Sequence, residues 1–195
     1  MVGMVAWFFM TDMLSKGTGA IKSYKYLVTK MKFPVSTIPT FVALSKAFVH
    51  TTLLVVVIGY LLLTDSAQLS VYWLQLPIIL VTMILFFITW GLFAAPLAVI
   101  SKDFHNLIKS TTRMLFWLSG VLWSVRQLDI EWIQTLLLFN PITFFVESYR
   151  KALLYGEWVT DDLRMLGGFL IVWAVLAGLA AFTYSRSRKE IVDVL

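Results

Sequence analysis

A cluster of ionisable side chains, Glu147-Ser148-Tyr149-Arg150-Lys151, is pressed directly against an apolar run in this sequence. Glu147 and Arg150 are three residues apart, so a helix lets them pair. Such a pair is either a structural tie or part of a gate. Lys46 and His50 form a second ionisable pair, four residues apart in the first half of a long apolar stretch. Within a membrane helix that pair is a candidate ion-coupling site. Alternatively, Lys46 reaches for the headgroups while His50 is a neutral packing residue. Lys109 and Arg113 have the same spacing and form a basic column. Familiar catalytic patterns are missing. No G-x-x-x-x-G-K-[ST], H-E-x-x-H or G-x-S-x-G occurs. Without cysteine there is no disulfide and no thiolate metal site. Only Asp103 neighbours a histidine, His105, and it reads as a helix cap. No catalytic site, metal or cofactor is expected in this chain.

These residues need elements to hold them, and the composition says which kind. Of 195 residues, 59% are hydrophobic and 14% charged. Mean hydropathy is +0.84. Soluble domains carry about 25% charge, so the expectation is an all-α integral membrane protein, a single transmembrane domain over 1–195. Basic residues gather at the edges of apolar stretches, which argues against nucleic-acid binding.

Val2 to Leu14 is apolar but shorter than the roughly 20 residues a span needs. It reads as the end of a helix begun upstream, with Asp12 and Lys16 paired where it exits. Ile21, Tyr24, Leu27, Val28 and Met31 then recur at helical spacing, with Lys22, Lys25, Lys30 and Lys32 off the stripe. This predicts one basic amphipathic helix over 21–32, either a juxtamembrane anchor or a docking helix for a cytoplasmic partner. Spans follow at about Thr40–Leu63, with a Ser or Thr cap and Pro39 in its first turn, at Leu76–Ile100 and at Met165–Tyr184. Phe104–Ser124 crosses only if Lys109 and Arg113 reach back to the cytoplasmic edge. Phe86, Trp90, Phe93 and Leu97 share a face that is either packing or an aromatic wall for a guest such as a sugar. Ala174, Gly178 and Ala181 give the last span a small-residue face for close helix packing. Basic segments at 16–32, 102–113 and 186–189 face the cytoplasm by the lysine and arginine rule, and the other loops are neutral or acidic.

Ile133–Trp158 cannot be one span. Asn140-Pro141 interrupts it, because proline removes a backbone donor and disfavours helix at the preceding residue. Two short helices meeting at Asn-Pro and dipping in from the outer side are expected. Non-helical backbone at that depth requires surrounding protein or a wet cavity, which suggests a pathway or gate.

Several motifs carry a family resemblance. Trp7-Phe8-Phe9, the run Leu27-Val28 through Lys30, Lys32, Phe33 and Pro34, and Lys102-Asp103-Phe104 form one set. Arg113-Met114-Leu115-Phe116, Leu122-Trp123, Asn140-Pro141-Ile142 followed by Val146-Glu147-Ser148-Tyr149-Arg150, and the ending Glu190 to Leu195 complete it. Together they resemble the permease subunits of ABC exporters for lipid-linked cell-surface polysaccharides, closest to the wall teichoic acid branch, with O-antigen and capsule permeases as siblings. The resemblance implies a type-2 ABC exporter fold in a bacterial plasma membrane. It implies a homodimer of six-helix subunits, each paired with a separate nucleotide-binding subunit that holds ATP and Mg. By the same resemblance 21–32 is a coupling helix that docks through Tyr24, Leu27, Val28 and Met31. The segment 130–155 forms outer gate helices using Asn140, Pro141, Glu147, Tyr149 and Arg150. Aromatic residues line the polymer path, for which Trp90, Phe93, Trp117 and Trp123 are candidates. The resemblance also implies that roughly the first quarter of such a permease precedes this chain. Two alternatives remain open: a secondary transporter or channel using Lys46 and His50, and a drug or lipid exporter of the same fold.

Overall fold

A computed structural model describes residues 2–30, 33–64, 69–127 and 129–194; the side chains of 126 and 187–194 lie outside the description. Met31 and Lys32 of the basic helix, the side chain of Arg126 and the C-terminal motif side chains therefore fall outside it.

All regular structure among the described residues is helical: α1 (Val2–Asp12), α2 (Ala20–Ser23), α3 (Lys25–Lys30), α4 (Thr37–Leu63), α5 (Leu76–Ile100), α6 (Lys102–Leu118), α7 (Glu131–Leu138), α8 (Pro141–Arg150) and α9 (Leu163–Val194), with short π and 3-10 turns between them. Among the described residues, three segments are long and apolar enough to cross a membrane: Thr37–Leu63, Val71–Ile100 and Leu163–Arg186. They agree with the three expected spans. Their composition explains their state: a helix satisfies every backbone group internally, as a bilayer requires.

The core lies where α5 packs along α9 and where α8 inserts between α1, α5 and α9. Phe86, Phe87 and Phe145 interlock with Phe169 at centroid distances of 5.2–6.4 Å. Phe144 stacks on Phe169 at 4.0 Å and 4°. Gly168 admits α7 to the face of α9, since a Cβ there would collide with the Leu138 carbonyl. Gly91 does the same for α5 and α4: its Cβ would stand 2.8 Å from Pro39 Cβ.

Several local expectations are corrected. The basic helix is not continuous, because Tyr24 (φ −111°, ψ 27°) separates α2 from α3. Ile21 anchors α2 in the core while α3 buries no residue, so the two halves answer to different surroundings. Gly17-Thr18-Gly19 does not end the first helix abruptly; a π turn over Met13–Gly17 carries it on, and the Thr18 hydroxyl donates to the Leu14 carbonyl at 2.6 Å. Ser36 precedes α4 without a side-chain cap, since Thr37 and Ile38 donate to the carbonyls of Pro34 and Val35 instead. By contrast, Ser101 caps α6 as expected, accepting from the Phe104 amide at 3.2 Å. However, α6 stops at Leu118 and does not run to Ser124. Within this chain the small-residue face of α9 stays open: Ala174, Gly178 and Ala181 are exposed, and a Cβ on Gly178 would touch nothing.

Candidate functional site

The chain breaks at Asn140-Pro141 as the residue types require. Proline occupies the first turn of α8, where its missing N–H costs nothing. Asn140 is extended (φ −93°, ψ 109°) and its side-chain oxygen accepts from the Ile142 amide at 3.0 Å. Its side-chain amide donates to Ser119 Oγ at 2.9 Å, and the Thr143 hydroxyl donates to the Ser119 carbonyl at 3.2 Å. The re-entrant pair thus seizes the end of α6. This is why α6 terminates early: Ser119 is engaged from outside, and Gly120 (φ 69°) turns the chain away.

About two turns beyond Thr143, Arg150 completes the clamp. Its guanidinium donates to Glu147 Oε1 at 2.7 Å, to the Trp123 carbonyl at 2.9 Å and to the Val121 carbonyl at 2.9 Å. Glu147 is 5% exposed and Arg150 is 8% exposed, so the pair is buried. A buried charge is tolerable only when paired and hydrogen-bonded. The planar fork of arginine does both at once, which a lysine could not. Gly3 of α1 approaches this point so closely that a Cβ would lie 2.8 Å from the Val121 carbonyl and 3.1 Å from Arg150 Nη2.

Tyr149 ties the same helix to a membrane span. It is fully buried, and its hydroxyl forms a 2.9 Å hydrogen bond with His50 Nε2 on α4. His50 and Lys46 are therefore held by different partners, although both line one cavity with Asp12. Lys46 instead meets Asp12 at 3.1 Å, and Asp12 also holds Lys16 at 2.8 Å as the spacing predicted. Outside the clamp lies a cavity of about 440 Å³ lined by Glu147, Thr143, Lys151, Asp161 and Asp162. Lys151 is nearly buried there and lies 3.8 Å from Asp162.

The other candidate residues fall in two places. Tyr24 and Val28 turn inward, Tyr24 packing edge-on against Phe41 at 6.0 Å and Val28 against the buried cluster of Ile21, Val35, Ala95 and Val99. Leu27 is half-buried, leaving Lys25, Tyr26 and Lys30 as the outward face. Among the aromatic residues, Trp90 is half-buried and its indole donates to Thr18 Oγ1 at 3.2 Å, with Phe93 packed beside it at 6.0 Å. Trp117 is 66% exposed, and the Trp123 indole donates to its carbonyl at 2.9 Å. Trp90 and Phe93 thus form one contact, and Trp117 and Trp123 another.

Sequence reasoning missed the acceptors of the clamp. Ser119, Val121 and Trp123 contribute through backbone or a small hydroxyl, which leave little trace in residue type. Ser119-Gly120 within an apolar run was the available signal of a break.

The sequence pattern of ABC-2 type transporters matches residues 1–154. The chain belongs to the ABC-2 type transporter family. A relative, the O-antigen export system permease protein RfbA of Myxococcus xanthus, is 24% identical over 195 residues, covering 98% of this chain and 73% of that protein. The family's transmembrane subunits being helical, the three apolar spans and the all-helical architecture are those of a multi-pass membrane transporter.

Proposed function

We propose that this chain is the permease subunit of an ATP-driven exporter that moves a lipid-linked polysaccharide across the plasma membrane, with wall teichoic acid as the finer reading of the cargo. The observation that carries this is the family match over 1–154, joined to likeness with an O-antigen export permease along nearly the whole chain. With no P-loop in the sequence, ATP and Mg belong to a separate nucleotide-binding subunit. The segment 21–32 is the coupling helix for that subunit, docking through Leu27 and Met31, while Tyr24 and Val28 brace it against the bundle. A second copy of the permease completes the pathway. The outer gate is the Asn140–Arg150 element: its buried clamp makes α8 and the 119–123 turn move as one body. Trp90, Phe93, Trp117 and Trp123 line the polymer path in the dimer.

The test is reconstitution of the full-length permease with its ATPase subunit in proteoliposomes. Export of a lipid-linked polysaccharide that requires ATP hydrolysis is the expected result. Comparing an anionic teichoic polymer with a neutral O-antigen type chain decides the cargo. Transport by the permease alone, driven by an ion gradient and lost with His50→Leu, would sink the exporter reading. The geometry gives that alternative little support, since Lys46 and His50 serve different partners.

A further inference from the structure

At the lysine-rich end of the bundle a cavity of about 440 Å³ separates two helical stripes. One stripe is Lys102, His105, Asn106 and Lys109 on α6, whose i, i+3, i+4, i+7 spacing puts them on one face. The other runs from the π turn into α2 and presents Lys16, Gly19 and Lys22. Gly19 permits the approach, as a Cβ there would stand 3.1 Å from His105 Cε1.

Both stripes carry the same sign of charge, and no carboxylate lines the space between them. Asp12 is committed to Lys16 and Lys46. Lys22, Lys102 and Lys109 have no ion pair among the described residues. His105 Nδ1 is buried and has no hydrogen-bond partner among them. Burial first, then the charges of Lys109 and Lys22, lowers the His105 pKa, so the ring is a neutral hydrogen-bonding group at this edge of the bundle, outside the three apolar spans. Like charges facing each other repel, and an anion between them reverses that cost. Lysine supplies compact point charges with rotatable donors, which suit a small multiply charged oxyanion better than a planar carboxylate. The position fits as well. The cavity lies beside Ser101, where α5 leaves the apolar layer, and the lysine excess assigns that edge to the cytoplasmic leaflet. Basic pockets between membrane helices on that side recognise phosphorylated headgroups.

We propose that this cavity binds a phosphate-bearing headgroup in the cytoplasmic leaflet, with Lys22, Lys102 and Lys109 supplying charge and His105 and Asn106 supplying hydrogen bonds. The ligand chemistry is that of a phosphomonoester or diphosphate, on a lipid or free in solution. The site stands whatever polymer is exported.

The experiment titrates the full-length permease, assembled with its ATPase subunit in neutral detergent, with dioctanoyl phosphatidic acid, dioctanoyl phosphatidylcholine and inorganic pyrophosphate. Saturable binding of phosphatidic acid, with no saturable binding of phosphatidylcholine, is expected. The Lys22→Gln, Lys102→Gln, Lys109→Gln triple variant weakens it by at least about tenfold. Asn106→Asp, which puts a carboxylate into the cavity with almost no change of shape, weakens it too and serves where the triple variant does not fold. Lys25→Gln with Lys30→Gln, on the outward face of α3, leaves it unchanged. Pyrophosphate that competes with phosphatidic acid places the recognition in the phosphate; pyrophosphate binding without any phosphatidic acid binding assigns the site to free phosphate and overturns the headgroup reading. Wild-type affinity in both cavity variants, or equal loss in the α3 variant, overturns the site itself. So does release of the ATPase subunit from the triple variant with lipid binding intact, because the cavity would then be a socket for acidic residues of that subunit.

Discussion

Arg150 concentrates three hydrogen bonds, one of them within a buried ion pair, in a single side chain. Removing it strands a buried carboxylate and two backbone carbonyls. Breaking a buried pair from one side costs about 3–5 kcal/mol, so Arg150→Ala should sharply lower the thermal unfolding temperature in detergent. Arg150→Lys should recover little of the loss, because lysine restores the charge without the fork. A lysine variant as stable as wild type would show that charge alone matters here. The hydrogen bond between Tyr149 and His50 is a smaller effect: Tyr149→Phe should cost about 1 kcal/mol, and His50→Leu added to it should cost less than the sum of the two single changes. Additive losses in that double-mutant cycle would deny the coupling.

At the scale of elements, the re-entrant pair is held by its ends. Asn140 caps α8 and reaches Ser119, so Asn140→Ala removes a cap worth about 1 kcal/mol and frees the end of α6 as well. The contact of α7 with α9 depends on Gly168. Gly168→Ala drives a methyl into the Leu138 carbonyl, and the backbone of α7 has to move. The expected outcome is proteolysis near Leu138 with the α5–α9 core still folded; an unaltered digestion pattern would mean that α7 yields without cost. Gly178→Ala on the same helix is the control, as its Cβ meets nothing within the chain.

For the molecule as a whole, the question is whether movement at one end reaches the other. In the proposed exporter the ATPase acts at α2 and α3 while the clamp sits toward the opposite end. Between them run α4, tied to α8 through His50 and Tyr149, and α5, tied to α9 through its aromatic core. Leu27→Glu should leave ATP hydrolysis measurable while abolishing polymer export from vesicles containing the full complex. Export at the wild-type rate would remove Leu27 from the docking surface.

Much of this was legible in residue order alone. Apolar length determines the spans over Thr37–Leu63, Leu76–Ile100 and the apolar part of α9, because a bilayer leaves the backbone only the helix. Asn140-Pro141 determines the break, because proline cannot continue a helix through its own missing donor. The pairings of Glu147 with Arg150 and of Asp12 with Lys16 follow from spacing on one helical surface. Tertiary structure decided everything that depends on which distant segments meet. That α6 ends at Leu118, that Arg150 holds the carbonyls of Val121 and Trp123, that Lys46 answers to Asp12 and His50 to Tyr149, and that two lysine stripes face one cavity are all contacts between separate elements. Periodicity fixes which face of a helix a side chain occupies; only packing fixes what that face meets.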